Sequence, residues 1–279
     1  MPSGKRSKQQ RRESATAAVA VKPPPVRSKG APRARQASPR ALAVGGGIVA
    51  IVAVAIVLAV VLGGGSSSAG VPKGTPRVGS LSNGLPGAAQ VEAMYKGVPQ
   101  HGLTLGSAFA PVKMVMFIDL QCPVCQYWEV TWMPTFVQKY VRTGKVQIQL
   151  KPWAFIGPDS GRGQAATIAA SLQNKAYNLA EVLYLNQGKE NTGWLTDSMI
   201  AQIAASVPGL RVYKLFSDRN SATVKNTTSQ VDSLAQTDKV TGTPTIFVGK
   251  RGGPVKVVGS SGTLPTLQQV EAAVAAASS

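Results

Sequence analysis

Val112-Lys-Met-Val-Met-Phe-Ile-Asp-Leu-Gln-Cys-Pro-Val-Cys125 is the stretch on which the reading of this chain turns. Val112 to Ile118 is apolar at every position but Lys113, as suits a central strand buried on both faces. Cys122 and Cys125 are the only cysteines in the chain, at C-x-x-C spacing. From Cys122 to Val141 the pattern turns helical. Trp128, Trp132, Phe136 and Tyr140 fall at four-residue steps and share one face. Pro134 predicts a kink in that helix. Val146 to Leu150 then alternates, which reads as a half-buried strand. The result is a strand–helix–strand unit with the cysteine pair where the first strand meets the helix.

That position has chemical meaning. Thiol–disulfide exchange needs an attacking thiolate and a second thiol close enough to resolve the mixed disulfide. At a helix N-terminus, free backbone N–H groups and the positive end of the macrodipole favour a thiolate at Cys122. Pro123 would be the first helical residue, where its missing N–H costs nothing. Cys125 would face inward. Three other readings stay open on spacing alone. A zinc half-site lacks ligands, because the chain adds only His101 to two cysteines. A structural disulfide would close too small a loop to restrict the unfolded chain much. Two unrelated buried thiols are the third.

Working outward, Gly102 to Ser107 is expected as a first edge strand. On the far side, about 160–237 reads as a helical insert. Ile168, Leu172, Leu179 and Leu183 form one stripe, and Ile200, Ile203 and Val207 another, with Thr196 or Asp197 as its cap. Further helices are expected over Val212 to Asp218 and around Val231. Thr245 to Gly249 and Val255 to Val258 flank a turn and predict a hairpin. Leu267, Val270 and Val274 mark a last amphipathic helix. Gly242-Thr243-Pro244-Thr245 directly precedes the first hairpin strand. A cis Thr243–Pro244 bond would present the Thr243 backbone beside the cysteines for pairing with an extended substrate; an ordinary trans turn is the alternative.

The N-terminal part sets the compartment. The net charge of +18 is concentrated in residues 1–40, which carry eleven Lys/Arg and one acid. This tail reads as disordered and solvated rather than as a nucleic-acid arm. Residues 41–62 carry no charge, and at about 1.5 Å of helical rise per residue they cover a bilayer core of roughly 30 Å. They are expected to form one transmembrane helix. The basic side stays in the cytoplasm, and the remainder is exported. The apolar run is longer than a signal peptide's, so an uncleaved anchor is favoured over cleavage near Ala69. Residues 63–100 are expected as a flexible linker, and 101–279 as the folded domain. Asp119 is placed in a loop, as helix-start charge or cap, and His101 on the surface.

Phe117-Ile-Asp-Leu-Gln-Cys-Pro-Val-Cys125 resembles the active-site segment of DsbA-like thiol–disulfide oxidoreductases. So do the helical insert, Asn186-Gln-Gly-Lys-Glu-Asn191 followed by Trp194, and Val240-Thr-Gly-Thr-Pro-Thr-Ile-Phe247. The resemblance runs from about His101 to Val274. It implies an α/β thioredoxin-like fold with a helical domain inserted after the strand–helix–strand unit. It implies Cys122 as nucleophile, Cys125 as resolving thiol, Pro123 and Val124 as tuning residues, and Thr243 with a cis Pro244 as substrate platform. Members of this kind are often membrane-anchored in Gram-positive bacteria, including actinobacteria. Val124 stands where the best-known oxidant of the family has His, and Met116 where relatives often place a buried acid. The activity implied is disulfide formation in exported cysteine-containing proteins, with re-oxidation by a quinone-linked membrane partner and with no metal or organic cofactor. A reductase or isomerase, or a non-catalytic redox-sensing or binding module on the same fold, is the alternative.

Overall fold

The computed structural model describes residues 70–279. The expected tail, the span at 41–62 and the first part of the linker lie outside the described residues. Among the described residues no helix is long and apolar enough to cross a membrane.

Helix α1 (Ala88–Tyr95) leads into a short ribbon of β1 (Gln100–His101) and β2 (Thr104–Leu105), then β3 (Val112–Ile118). Helix α2 (Pro123–Thr131), a one-turn α3 (Met133–Phe136) and a π-helical turn (Val137–Val141) connect to β4 (Val146–Pro152). Five helices follow: α4 (Pro158–Ser171), α5 (Ala176–Leu185), α6 (Asp197–Ala205), α7 (Val212–Asp218) and α8 (Ala222–Thr237). The hairpin β5 (Thr245–Lys250) and β6 (Val255–Val257) and helix α9 (Leu267–Ser278) complete the fold. The sheet order is β1-β2-β4-β3-β5-β6. β3 pairs parallel with β4 and antiparallel with β5, so the strand before the cysteines is central. This is the thioredoxin-like arrangement, with α4–α8 inserted between β4 and β5.

The apolar run of β3 is explained by two cores. Met114, Met116 and Ile118 enter the main cluster with Trp128 and Phe136. The alternate residues Val115 and Phe117 join Val231 and Ala235 of α8 on the other face. A strand covered on both sides needs no polar alternation. In β4 the alternation holds, with Val146, Ile148 and Leu150 buried and the residues between them half-buried.

Some expectations are corrected. The helix expected over Cys122–Val141 is interrupted at Trp132, two residues before Pro134, whose ring and missing N–H disrupt the preceding turn. Trp128 and Phe136 are buried, whereas Trp132 and Tyr140 only lean on the core. The edge strand is β1, because β2 is paired on both sides. The stripe Ile168–Leu183 belongs to two helices with a turn between them. Leu172, which caps α4, is exposed. Thr196, not Asp197, is the N-cap of α6 and accepts from Met199 N at 3.1 Å.

The linker is shorter than expected. Ala88, Val91, Met94 and Tyr95 of α1 are buried in the main core. Upstream, Gly79 N donates to Leu210 O at 2.8 Å, Ser80 N to Ala205 O at 2.9 Å, and Val212 N to Arg77 O at 2.9 Å. Composition rich in Gly, Pro and Ser reads as a linker. Here the backbone groups find partners on the insert, and the segment is ordered as a strap across it.

Two glycines of α4 test how tightly the insert meets the active-site loop. A Cβ on Gly163 would stand 2.5 Å from Leu120 Cβ and 3.2 Å from Leu195 Cδ2; at Gly161 nothing lies within 4 Å. Gly163→Ala is expected to cost about 1–3 kcal/mol by overpacking. Gly161→Ala, in the same helix, should gain roughly 0.5–1 kcal/mol of helix propensity. Urea unfolding of the two variants reads both signs.

Candidate active site

The sheet delivers β3 to a loop, Asp119 to Gln121, that ends at Cys122. Cys122 is the N-cap of α2, with Pro123 in the first turn, and its sulfur accepts from Cys125 N at 3.4 Å. Its own thiol donates to the carbonyl of Thr243 at 3.4 Å. The Thr243–Pro244 peptide is cis, as the resemblance implies. The predicted site residues therefore meet: Cys122 and Cys125 at the helix start, with Thr243 across from them just before β5. Both cysteines are free thiols in this structure. Val124 is 41% exposed, next to a Cys122 that shows only 5% of its surface.

The two thiols are electrostatically unequal. The Cys122 pKa falls from 9.0 to about 6. Hydrogen bonding from the Cys125 side chain is the main cause, with smaller help from the Thr243 side chain and from the Cys125 and Val124 amides; burial opposes the shift. Cys125, with none of its surface exposed, is pushed well above its usual value, chiefly by burial. One thiol is thus poised as a thiolate near neutral pH while the other is kept protonated behind it. Such asymmetry is what sequential attack and resolution require.

The loop beneath Cys122 is held by a residue read from sequence only as a helix-start charge. Asp119 is fully buried and is not the cap. Its Oδ1 accepts from Gln121 N at 2.9 Å, and its Oδ2 accepts from Phe155 N at 2.8 Å and Ile156 N at 2.9 Å. Its carbonyl takes the Tyr184 hydroxyl at 2.8 Å and Cys122 N at 3.1 Å.

Gln121, also fully buried, reaches the insert. Its Nε2 donates to Ser160 Oγ at 2.8 Å and Asn191 Oδ1 at 3.2 Å, and its Oε1 accepts from Asn191 N at 2.9 Å. Gln187 Nε2 donates to Gln121 O at 3.1 Å. The Asn186–Asn191 stretch singled out by resemblance is therefore one of the insert's contacts with the active-site loop, beside Ser160 and Tyr184. Gln126 Nε2 adds a bond from α2 to Tyr184 O at 2.7 Å. Sequence reasoning missed Gln121, Gln126 and Tyr184 as contributors. Met116 lies buried in β3 and His101 exposed on β1.

A thioredoxin-like domain with a C-x-x-C pair at a helix start, faced by a cis-proline loop, defines a thiol–disulfide oxidoreductase. The family model described as "Thioredoxin" matches residues 99–254, and the chain belongs to that family, as a DsbA-like member. It is 35% identical over 148 residues to "Probable disulfide bond formation protein D" of Bacillus cereus, covering 52% of this chain and 68% of that relative. It is 23% identical over 166 residues to "Disulfide bond formation protein D" of Bacillus subtilis, covering 59% and 73%. The crystal structure of oxidised BdbD from Bacillus subtilis superposes with a TM-score of 0.57 at 20% identity, covering 65% of this chain and 97% of that one. That of alpha-DsbA1 from Wolbachia pipientis gives 0.54 at 17% identity, covering 66% and 92%. Both structures share the fold.

Alkylation of the reduced protein by iodoacetamide should follow the Cys122 thiolate, with a midpoint at about pH 6 and loss of reactivity as pH falls through it. Cys125→Ala removes the leading hydrogen bond and is expected to move the midpoint up. Cys125→Ser keeps a donor and should move it less.

Proposed function

We propose that this chain introduces disulfide bonds into exported proteins, through a Cys122–Cys125 redox pair held outside the cytoplasm by an N-terminal membrane anchor. The observation that carries the oxidising direction is the place of the Cys122 sulfur at the start of α2, where it accepts from Cys125 N and where neighbouring donors hold its pKa down, to about 6. Stabilising the thiolate stabilises the reduced pair, and a stable reduced pair makes its disulfide an oxidant.

In this reading a substrate thiolate attacks the Cys122 sulfur of the Cys122–Cys125 disulfide. The S–S bond breaks, Cys125 leaves as a thiolate and takes up a proton, and a mixed disulfide forms. A second substrate thiolate attacks the substrate's sulfur, giving the substrate disulfide and releasing the Cys122 thiolate. Two electrons have then passed from substrate to enzyme. Thr243 and Pro244 serve as the platform beside which an extended substrate segment lies. Val124, exposed between the cysteines, meets that segment. A membrane oxidase, quinone-linked by analogy with the family, would take the electrons on. The anchor is residues 41–62, with the basic tail at 1–40 on the cytoplasmic side.

Two measurements test this. The potential of the pair should lie nearer the about −120 mV of a strong oxidant than the about −270 mV of thioredoxin. Cys125→Ser, expressed in place of the native protein, should accumulate mixed disulfides at Cys122 with exported proteins. If the potential falls near the lower value, the direction is reductive; if no mixed disulfides form, the exchange role of Cys122 fails.

A further inference from the structure

One end of the sheet is strongly charged. β3 begins at Val112, which registers with Val146 at the start of β4 and with Lys250 at the end of β5. Val112 N donates to Lys145 O at 3.2 Å, and Arg251 N donates to Pro111 O at 2.8 Å. Lys256 of β6 registers with Val248. These pairings gather Lys113, Lys145, Lys250, Arg251 and Lys256 at the pole away from the cysteines. β3 is seven residues long, so roughly 20 Å of strand separates that pole from the loop at Cys122.

Little acid balances these cations. Residues 99–118, 137–152 and 245–258 hold all six strands, and they carry eight Lys/Arg and no Asp or Glu. Glu271 of α9 is taken by Lys139 at 2.9 Å, and Lys250 Nζ donates to Ser279 O at 3.0 Å. Lys113, Lys145, Arg251 and Lys256 form no ion pair among the described residues.

An aromatic ring stands among them. Phe109, in the loop between β2 and β3, is 82% exposed, more than any other large hydrophobic among the described residues. Its loop is tied down. Phe109 N donates to Ser107 Oγ at 3.1 Å, Ala110 N to Ser107 O at 3.2 Å, and Gln147 Nε2 to Ser107 O at 3.1 Å. Arg251 Nη1 reaches Ala108 O at 3.5 Å. Ala108 and Pro111, on either side of the ring, are exposed as well. The backbone thus holds an apolar ring out in water, where its surface is unfavourable, with a guanidinium beside it.

We propose that this pole docks on an anionic lipid surface, with Phe109 entering the boundary between headgroups and acyl chains and the cations meeting lipid phosphates. An exposed ring among unpaired cations matches a partner that is anionic at its surface and apolar beneath. The proposal rests on the anchored reading given above, which keeps a bilayer at high effective concentration beside the domain. In this pose the far end of β3 points away from the lipid, and Cys122 faces arriving exported chains. A contact carried by a few exposed charges is screened by salt and readily reversed, so the domain can let go for re-oxidation of the pair.

The test uses the full-length chain in nanodiscs of phosphatidylcholine alone and of phosphatidylcholine mixed with phosphatidylglycerol. Amide hydrogen exchange is read over 107–113 and 249–256. Exchange there should slow in the anionic discs and not in the neutral ones, and added salt should shrink the difference. One Lys or Arg near an anionic surface changes lipid partition about fivefold, so Lys145→Gln and Lys256→Gln should each cut the protection by about that factor. Phe109→Ser should lower it too. All three side chains are exposed, and iodoacetamide alkylation of Cys122 should match wild type in each variant, reporting an intact fold. Equal exchange in the two lipids overturns the proposal. So does protection that the variants leave in place, or that grows with protein concentration at fixed lipid, the mark of a second copy. Lipid binding by the basic tail at 1–40 would leave these amides unmoved. A chain that fails to enter the discs counts against the anchor alone, and the same exchange measured with vesicles of the two compositions then decides the pole.

Discussion

A single buried carboxylate organises the active end of this molecule. Asp119 accepts three backbone N–H groups, one from its own loop and two from the segment after β4. Its carbonyl accepts two more donors, one from the insert and one from Cys122. Buried backbone groups must be paired somewhere, and loops supply few partners of their own. One short side chain therefore settles the conformation of the loop that presents Cys122 and fixes the exit of β4, while the carbonyl of the same residue gives α5 a place to bond. Without it, the N–H groups of Gln121, Phe155 and Ile156 would need other partners.

Around that point the two layers play separate parts. The sheet sets where α2 begins, because β3 is central and buried on both faces. The insert sets how α2 is held, through Gln121, Gln126 and Tyr184. The lowered Cys122 pKa belongs to the first layer, being made of donors at a helix start and a neighbouring thiol. The raised Cys125 belongs to both, since burial between the layers keeps it protonated.

What could be read in advance follows from the range of each interaction. The C-x-x-C position, the run of β3, the alternation of β4 and the helix Val212–Asp218 are local patterns, and the structure matches them. The pairing of Thr243 with Cys122 came from family resemblance, because a threonine carbonyl 121 residues away leaves no local signature. Gln121, Asn191 and Ser160 were illegible for the same reason: each is an ordinary polar residue until the fold closes. The stripe through Leu172 was misread because a continued helical period hides a turn.

The strap at 77–85 also determines how load travels. Tension entering the domain from residue 70 meets the hydrogen bonds of Arg77, Gly79 and Ser80 to residues 205–212 before it reaches any strand. Leu85 N, bonded to Ser206 Oγ at 2.9 Å, adds a further anchor in the same place. These bonds act as a strain relief. A pull from the N-terminal side would meet α6 and α7 first, ahead of the sheet that aims the cysteines.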